Sequence, residues 1–302
     1  MNSLFLTTSR ILPSPQYPIA FQFDLTLRIG EDRKMPQTIG KANYTASDID
    51  RFTQELNRDG ICVIRDVFDK KLIKEWAQAF ENLFLKRQNQ PGGLAPREIA
   101  RYYLTLPWVP PFANESVFAN PVILGVLERV FFQEYVMVQL GVDLPVQGSD
   151  YQEIHRDFRP LFSDQIVTPL YALAVNFPLV EVTAENGPFQ MARGTHLLPR
   201  EEGLRKIASG EMPMESFYMQ PGDVMIRTPL ALHRGSPNRT SQPRPMVVMG
   251  YAMHWLHTPK VDLAVQRDYY ESLPSKARQL LRCQVVEHLP MEKVETYVNF
   301  KY

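Results

Sequence analysis

Hydrophobic positions recur at helical spacing in the first half of the chain. After Asp69, large apolar side chains alternate with lysines and glutamates, which predicts a long helix with its apolar stripe on the core. The stripe consists of Leu72, Ile73, Trp76, Phe80, Leu83 and Phe84. An earlier helix is predicted from Ser47, a favourable N-cap, to the Asp59-Gly60 pair that ends it. The apolar run 61–64 is typical of a buried strand.

The pattern changes at Tyr135. Short segments with strand character alternate with turn signals from there on, which is typical of a β-sandwich or jelly roll. The predicted strands are Tyr135–Val142, Leu170–Phe177, Phe189–Ala192, Glu215–Gln220, Asp223–Thr228 and Pro245–Trp255. Further helices are predicted at 98–105, 121–132 and 262–282.

This order of elements predicts a single domain of mainly β structure with flanking helices. An N-terminal arm (1–44) precedes a helical support (45–134), a jelly-roll core (135–256) and a helical tail (257–302). We find no internal repeat and no low-complexity segment.

Composition excludes several classes of protein. Thirty-three basic and thirty-three acidic residues cancel, whereas a nucleic-acid binder usually shows a basic excess. No apolar run reaches the roughly 18 residues that a membrane span needs. Two cysteines, Cys62 and Cys283, are too few for a disulfide framework and favour a reducing, cytoplasmic location. The first 23 residues, with one arginine and no acid, also fit a transit peptide.

Candidate chemistry begins with His155, which stands two residues before Asp157. In an extended segment these two side chains share a face. An imidazole and a carboxylate side by side form part of a 2-His-1-carboxylate site, which binds Fe(II) and leaves about three positions open. His233, after a turn and a predicted strand, is the candidate third ligand. Taken alone, the two-residue pattern favours a surface histidine beside a solvated aspartate.

The wider pattern resembles the phytanoyl-CoA dioxygenase family of iron(II)/2-oxoglutarate oxygenases. Four segments in the family's order carry the resemblance: Asp59–Arg65, His155–Asp157, Glu185–His196 and Pro221–Arg244, in which Arg244 follows His233 by eleven positions. Two departures are visible, since Thr195 stands where serine is usual and residues 1–44 have no counterpart.

The resemblance implies a double-stranded β-helix, a cupin-like jelly roll with iron at its open end. It assigns His155, Asp157 and His233 as metal ligands and catalytic residues, and Arg244 to the distal carboxylate of 2-oxoglutarate. A guanidinium suits that carboxylate because it can donate two parallel hydrogen bonds. Fe(II), 2-oxoglutarate as co-substrate and O₂ are therefore the expected cofactors.

Two further polar residues, Asn176 and His196, lie in the predicted jelly-roll core. Asn176 lies among apolar neighbours of a predicted strand, where it either contacts 2-oxoglutarate or makes a buried structural hydrogen bond. His196 matches a family segment that carries no ligand, so we expect a structural role for it.

The implied activity is oxidation of a C–H bond of a small organic molecule, with hydroxylation as the default and a biosynthetic role in specialised metabolism. Desaturation, epoxidation or ring formation would use the same residues. Asp157 argues against halogenation, because similar halogenases lack this carboxylate. Gln152, Phe158 and Arg159 are candidate substrate contacts. Two alternatives are a non-catalytic jelly-roll binding protein and a cupin-type or zinc metalloenzyme that does not use 2-oxoglutarate.

Overall fold

A computed structural model of the chain describes residues 44–132, 134–163, 165–257 and 263–289, all within one compact unit, 37–302. Apart from residue 44, the predicted N-terminal arm lies outside the described residues, as do parts of the predicted tail. The helices of the described part are α1 (Ala46–Asp59), α2 (Lys70–Gln88), α3 (Glu115–Phe118), α4 (Pro121–Val130), α5 (Arg200–Ala208), α6 (Arg267–Ser272) and α7 (Ser275–Leu280).

Strands supply the framework between these helices. They are β1 (Ile61–Ile64), β2 (Arg101–Thr105), β3 (Tyr135–Pro145), β4 (Ala172–Pro178), β5 (Phe189–Met191), β6 (Glu215–Phe217), β7 (Val224–Arg227), β8 (His233–Gly235), β9 (Met246–Met253), β10 (Leu263–Gln266) and β11 (Cys283–Val286). The six strands predicted from Tyr135 onward, and the strand at 61–64, are thereby confirmed.

Two antiparallel sheets form the core. The major sheet has the order β1-β7-β4-β9-β3-β2, and the minor sheet has the order β6-β5-β8. An isolated antiparallel bridge between His155 and His233 places the segment around residue 155 beside β8. Strands β10 and β11 form a separate parallel pair.

The major sheet packs on both of its faces. On its outer face, the ring of Phe177 in β4 meets the ring of Trp76 in α2, with 5.3 Å between centroids. On its inner face, Met225 of β7 belongs to the same apolar cluster as Met191 and Phe217 of the minor sheet. Two antiparallel sheets that face each other over a shared core are the predicted jelly roll, or double-stranded β-helix.

The first two helices begin and end where local chemistry requires. The N-cap of helix α1 is Thr45, which forms a capping box with Asp48, and not the predicted Ser47. It ends at Gly60, whose φ of 79° is left-handed and whose Cβ, if present, would lie 2.7 Å from the ring of His196. Helix α2 is capped by Asp69, which accepts from the amide of Lys71 at 2.8 Å, as its sequence predicts.

The helix predicted at 98–105 is wrong. Residues 101–105 form β2, which pairs antiparallel with β3. In a strand, Arg101, Tyr103 and Thr105 point to one face, and Arg101 reaches the carboxylate of Asp143 from there. That distant partner lies on another strand, so the local pattern does not reveal it. The helix predicted at 121–132 is confirmed as α4.

The continuous helix predicted at 262–282 is also wrong. Strand β10 opens this region, two short helices follow, and β11 begins at Cys283. Pro274 separates α6 from α7, because proline disrupts a helix interior but is tolerated before the first turn. Helix α5, inside the predicted jelly-roll core, was not anticipated. No helix of the described ranges has the length and apolarity required to traverse a bilayer.

Candidate metal centre

His155 and His233 lie opposite each other at the edge of the minor sheet. The amide of His155 donates to the carbonyl of His233, and the amide of His233 donates to the carbonyl of His155, both at 3.0 Å. Their rings lie side by side, with centroids 4.4 Å apart. The side chains are 4–5% exposed. Two imidazoles 78 positions apart in sequence are thus held next to each other by the backbone.

Asp157 completes the group of possible ligands. Its carboxylate oxygens lie 3.5 Å from Nε2 of His155 and 3.3 Å from Nε2 of His233. Its amide donates to the carbonyl of Pro229 at 2.9 Å, which fixes the backbone that carries it. One ligand atom from each of the three residues lies within 4.8 Å of the others, so the structure brings the predicted triad together.

Each imidazole is oriented by a contact on its other nitrogen. Nδ1 of His155 lies 2.7 Å from the carbonyl of Glu153, and Nδ1 of His233 lies 2.9 Å from that of Ala231. A carbonyl can only accept, so Nδ1 carries the proton and Nε2 keeps its lone pair. Such outer contacts fix the tautomer and orientation of a metal-binding histidine.

The charges in the triad suit a divalent cation. Burial lowers the pKa of His233 to about 4, so this ring is neutral near pH 7. Burial alone would raise the pKa of Asp157, but the guanidinium of Arg227 and the two imidazoles beside the carboxylate hold that pKa well below its usual range. Two imidazole nitrogens and one carboxylate are the donor set of a facial triad, so the residues fit a non-haem Fe(II) ion.

Arg227, at the end of β7, contacts the carboxylate of Asp157 directly. Its Nη1 donates to Oδ2 of Asp157 at 3.0 Å, and its Nε donates to Oδ1 of Asn176 at 3.3 Å. The guanidinium also lies over the ring of Phe189, 4.9 Å from the centroid. Arg227 therefore holds the carboxylate of Asp157 in place beside the two imidazoles. Sequence reasoning missed this residue, and the signal was a single charge at the end of the apolar run 224–226.

Asn176 has both ends of its amide bonded to protein. Its oxygen accepts from Arg227, and its Nδ2 donates to the carbonyl of Val247 in β9 at 3.3 Å. A buried amide needs such partners to offset the loss of water. The residue therefore links the Asp157–Arg227 pair to the centre of the major sheet.

Arg244 precedes β9 and is 2% exposed. Its Nη2 lies 3.5 Å from Oδ2 of Asp143, and its buried Nε has no hydrogen-bond partner. Burial lowers its pKa to about 10, so the guanidinium stays charged at neutral pH. A buried cation with a donor to spare is suited to receive an anion.

Asp143 also forms ion pairs with two further arginines, Arg101 and Arg97, which sequence reasoning missed. Arg101 donates to its Oδ2 at 2.8 Å, and Nη1 of Arg97 lies 3.5 Å from its Oδ1. Burial alone would raise the pKa of Asp143, but the three guanidiniums hold it below its usual range, so it is ionised. Nη2 of Arg101 donates to the carbonyl of Ser236 at 3.0 Å, next to the His233 strand.

The remaining predicted residues lie around this core. The side-chain oxygen of Gln152 accepts from the backbone amide of Gly235 at 2.9 Å, and its side-chain Nε2 donates to the carboxylate of Glu98 at 3.0 Å. The ring of Phe158 is half-buried and stacks on Tyr171, 6.4 Å between centroids. The carbonyl of Arg159 accepts from the hydroxyl of Tyr171 at 2.6 Å.

His196 lies apart from the triad. Its Nε2 is 3.1 Å from the carbonyl of Asn57 in α1, and burial lowers its pKa. Within the described residues it belongs to no group of possible metal ligands. Its position between α1 and the minor sheet fits the structural role expected for it.

A model of the phytanoyl-CoA dioxygenase family matches residues 56–246 of the chain. That range is more than half of the chain, and it contains His155, Asp157, His233 and Arg244.

Several solved structures share the fold. The non-haem α-ketoglutarate-dependent epimerase SnoN from nogalamycin biosynthesis, in complex with Fe³⁺, α-ketoglutarate and nogalamycin RO, matches with a TM-score of 0.54 and 19% identity over 68% of this chain and 84% of that one. The carbocyclase SnoK of the same biosynthesis matches with a TM-score of 0.56 and 18% identity, over 70% of this chain and 86% of that one. EctD from S. alaskensis, with 2-oxoglutarate and 5-hydroxyectoine, matches with a TM-score of 0.51 and 21% identity, over 67% of this chain and 75% of that one. At these identities the likeness establishes the jelly-roll fold.

Proposed function

The chain belongs to the phytanoyl-CoA dioxygenase family, and on this premise we propose that it hydroxylates a C–H bond of a small organic molecule. It is an iron(II)/2-oxoglutarate-dependent non-haem oxygenase. The observation that carries the site assignment is the convergence of two imidazoles and one carboxylate within 4.8 Å. His155, Asp157 and His233 would hold the iron, and Arg244 would receive the distal carboxylate of 2-oxoglutarate.

Iron in such a site, with 2-oxoglutarate and O₂, supplies the oxidising power of the reaction. The chain contributes orientation. Backbone bonds set the spacing of His155 and His233, and the carbonyls at their Nδ1 atoms aim each Nε2 inward. Arg227 holds one oxygen of Asp157 and so keeps the carboxylate beside the imidazoles. These three residues would hold the iron on one side and would leave positions open for co-substrate and O₂.

Hydroxylation is favoured over halogenation by Asp157 itself. A halide that binds iron needs a coordination position that no carboxylate fills. Asp157 is held beside both imidazoles by Arg227 and by its own amide, and it would therefore fill that position. The same residues would also serve desaturation or ring formation, which only product analysis separates from hydroxylation.

Substrate contacts are proposed at the segment that follows the triad. Gln152, Phe158 and Arg159 are the candidates from the sequence, and both ends of the Gln152 amide are already bonded. We propose that Phe158 would offer the substrate an apolar ring and that Arg159 would offer it a cation. Two enzymes with a similar fold, SnoK and SnoN, act in nogalamycin biosynthesis or bind nogalamycin RO, and this supports a small-molecule role in specialised metabolism.

The test is a coupled measurement of metal, co-substrate and product. Full-length protein loaded with Fe(II) is incubated with 2-oxoglutarate, O₂ and a panel of small molecules, and succinate and oxidised product are quantified. We expect succinate formation that requires Fe(II) and is lost in His155→Ala. His254→Ala is the matched control, because this histidine is exposed and lies outside the triad.

Three other outcomes would contradict the proposal. Tight ligand binding without any succinate would favour a binding protein, and turnover with zinc but without 2-oxoglutarate would favour a metallohydrolase. Succinate formation with a halogenated product would overturn the assignment of Asp157.

A further inference from the structure

The co-substrate pocket contains a carboxylate of its own. Asp143, on β3, lies between Arg101 of β2 and Arg244 at the start of β9. Asp143 lies opposite Met246 of β9 in the strand register, so the two side chains share the inner face of the sheet. Arg244 precedes Met246 by two positions and therefore projects to the same face. The guanidiniums are 1–2% exposed. A buried acid therefore already occupies the position beside the cation that is to receive 2-oxoglutarate.

The two arginines hold this acid unequally. Arg101 donates to Oδ2 of Asp143 at 2.8 Å, a short charge-assisted hydrogen bond. Arg244 stands 3.5 Å from the same oxygen, beyond the length of a short hydrogen bond, and the Nε atoms of both arginines lack a hydrogen-bond partner. Arg244 is thus the arginine that can change partners, while Arg101 retains Asp143.

Arg101 itself has little freedom to move. Its Nη2 donates to the carbonyl of Ser236, and its guanidinium lies against Gly235, where a Cβ would fall 2.6 Å from it. The Arg101–Asp143 pair is therefore a fixed part of the proposed pocket wall. It lies against Gly235, two residues after His233.

We infer that Asp143 is a built-in carboxylate that competes with the distal carboxylate of 2-oxoglutarate for Arg244 and so limits how tightly the pocket holds dicarboxylates. The inference rests on the proposed function of Arg244. Two carboxylates that share one guanidinium repel each other, and the repulsion is strong in a buried setting. Succinate, the co-product, carries the same distal carboxylate as 2-oxoglutarate. The repulsion from Asp143 therefore favours release of succinate after turnover.

The test compares dicarboxylate affinities in Asp143→Asn and the unmodified protein. Both proteins are loaded with Mn(II), a divalent first-row ion that can bind the same donor set as Fe(II). Each is then titrated with 2-oxoglutarate, succinate and pyruvate, and binding is measured by calorimetry. Removal of one negative charge a few ångströms from the ligand's carboxylate should tighten 2-oxoglutarate and succinate by about tenfold or more. Pyruvate lacks the distal carboxylate, so its affinity should not change. Asp50→Asn is the matched control, because Asp50 pairs with Arg129 at the surface.

A charge-balanced variant covers the case in which Asp143→Asn does not fold. Arg101→Gln combined with Asp143→Asn removes one charge of each sign, and it should bind 2-oxoglutarate more tightly than Arg101→Gln alone, which retains the carboxylate. Unchanged or weaker dicarboxylate binding in the folded variants would overturn the inference, as would equal tightening of pyruvate. If the unmodified protein does not bind 2-oxoglutarate, or binds it equally well after Arg244→Ala, the proposed function itself fails.

Discussion

The backbones of His155 and His233 are joined by a reciprocal pair of hydrogen bonds, each 3.0 Å long. In an antiparallel sheet, two residues that exchange both bonds are directly opposite, and their side chains project to the same face. The bonds therefore set the separation of the two imidazoles without help from a metal. The metal-free protein should already have the geometry of the site.

Loss of the carboxylate ligand should abolish metal binding. Asp157→Ala removes the only anionic member of the triad, and loss of mere outer contacts already costs roughly 10–100-fold in metal affinity. We expect Mn(II) affinity to fall by more than about a hundredfold, measured by calorimetry. Asp150→Ala, at an exposed loop position, is the control. Retained affinity would mean that Asp157 is not a ligand.

Arg227 should control the acid limit of metal binding. Metal binding requires ionised Asp157, and Arg227 helps to keep the pKa of that carboxyl low. In Arg227→Gln the pKa rises, so binding should fail at a higher pH as the solution is acidified. The measurement is Mn(II) affinity as a function of pH, with Arg129→Gln, a surface ion-pair variant, for comparison. Identical profiles would remove Arg227 from this role.

The metal-free protein should lose stability between pH 6.5 and pH 4. Burial lowers the pKa of His233 to about 4 in the folded state, while the unfolded chain titrates near 6.5. The unfolded state therefore binds more protons in this window, and the free energy of unfolding falls as the pH falls, by up to about 3 kcal/mol. Urea unfolding at pH 7 and pH 4.5 gives the difference. In His233→Gln the contribution of this residue should vanish, and an unaltered pH dependence would contradict the prediction.

A methyl group at Gly235 should disturb the co-substrate pocket and spare the metal. The new Cβ would lie 2.6 Å from the guanidinium of Arg101, which Asp143 and Ser236 hold in place. Gly235→Ala should cost about 1–3 kcal/mol of stability, as overpacking typically does, and should alter the affinity for 2-oxoglutarate. Mn(II) affinity serves as the internal reference. Unchanged binding of both ligands would show that Arg101 has room to move.

Arg244 should matter for the co-substrate alone. Removal of one partner of a buried charge pair typically costs about 2–5 kcal/mol, or roughly 30- to several-thousand-fold in affinity. Arg244→Ala should weaken 2-oxoglutarate binding by that range and leave Mn(II) binding intact. Arg244→Lys should restore part of it, since an ammonium cannot present two parallel donors. Full rescue by lysine would argue against two-pronged recognition.

Local sequence patterns predicted the parts of the site that lie close together in sequence. His155 and Asp157 share a face because residues two apart in an extended segment do so, and this follows from the sequence. His233 and Arg244 were placed by their spacing within a resemblance to a family. The short strands from Tyr135 onward follow from alternation and turn residues.

The missed residues depend on register between distant strands. Arg101 was predicted in a helix because no neighbouring residue reveals its partner Asp143, 42 positions away. Arg227 ends an apolar strand and, judged from sequence alone, is an ordinary charge at a strand end. Only the pairing of β7 with β4, which sets Arg227 opposite Ala174, brings it near Asn176 and Asp157.

The hydrogen-bonded path from Asp157 through Arg227 and Asn176 to the carbonyl of Val247 crosses the interior of the barrel. It ties the carboxylate of Asp157 to β9, the strand that Arg244 precedes. The sheet thus holds this carboxylate through its side chain, in addition to the hydrogen bond from its amide to Pro229. Substitutions at the residues that follow Asp157, such as Phe158, should therefore change the choice of substrate and spare the triad, whereas a substitution at Asn176 should disturb the Asp157–Arg227 pair whatever the substrate.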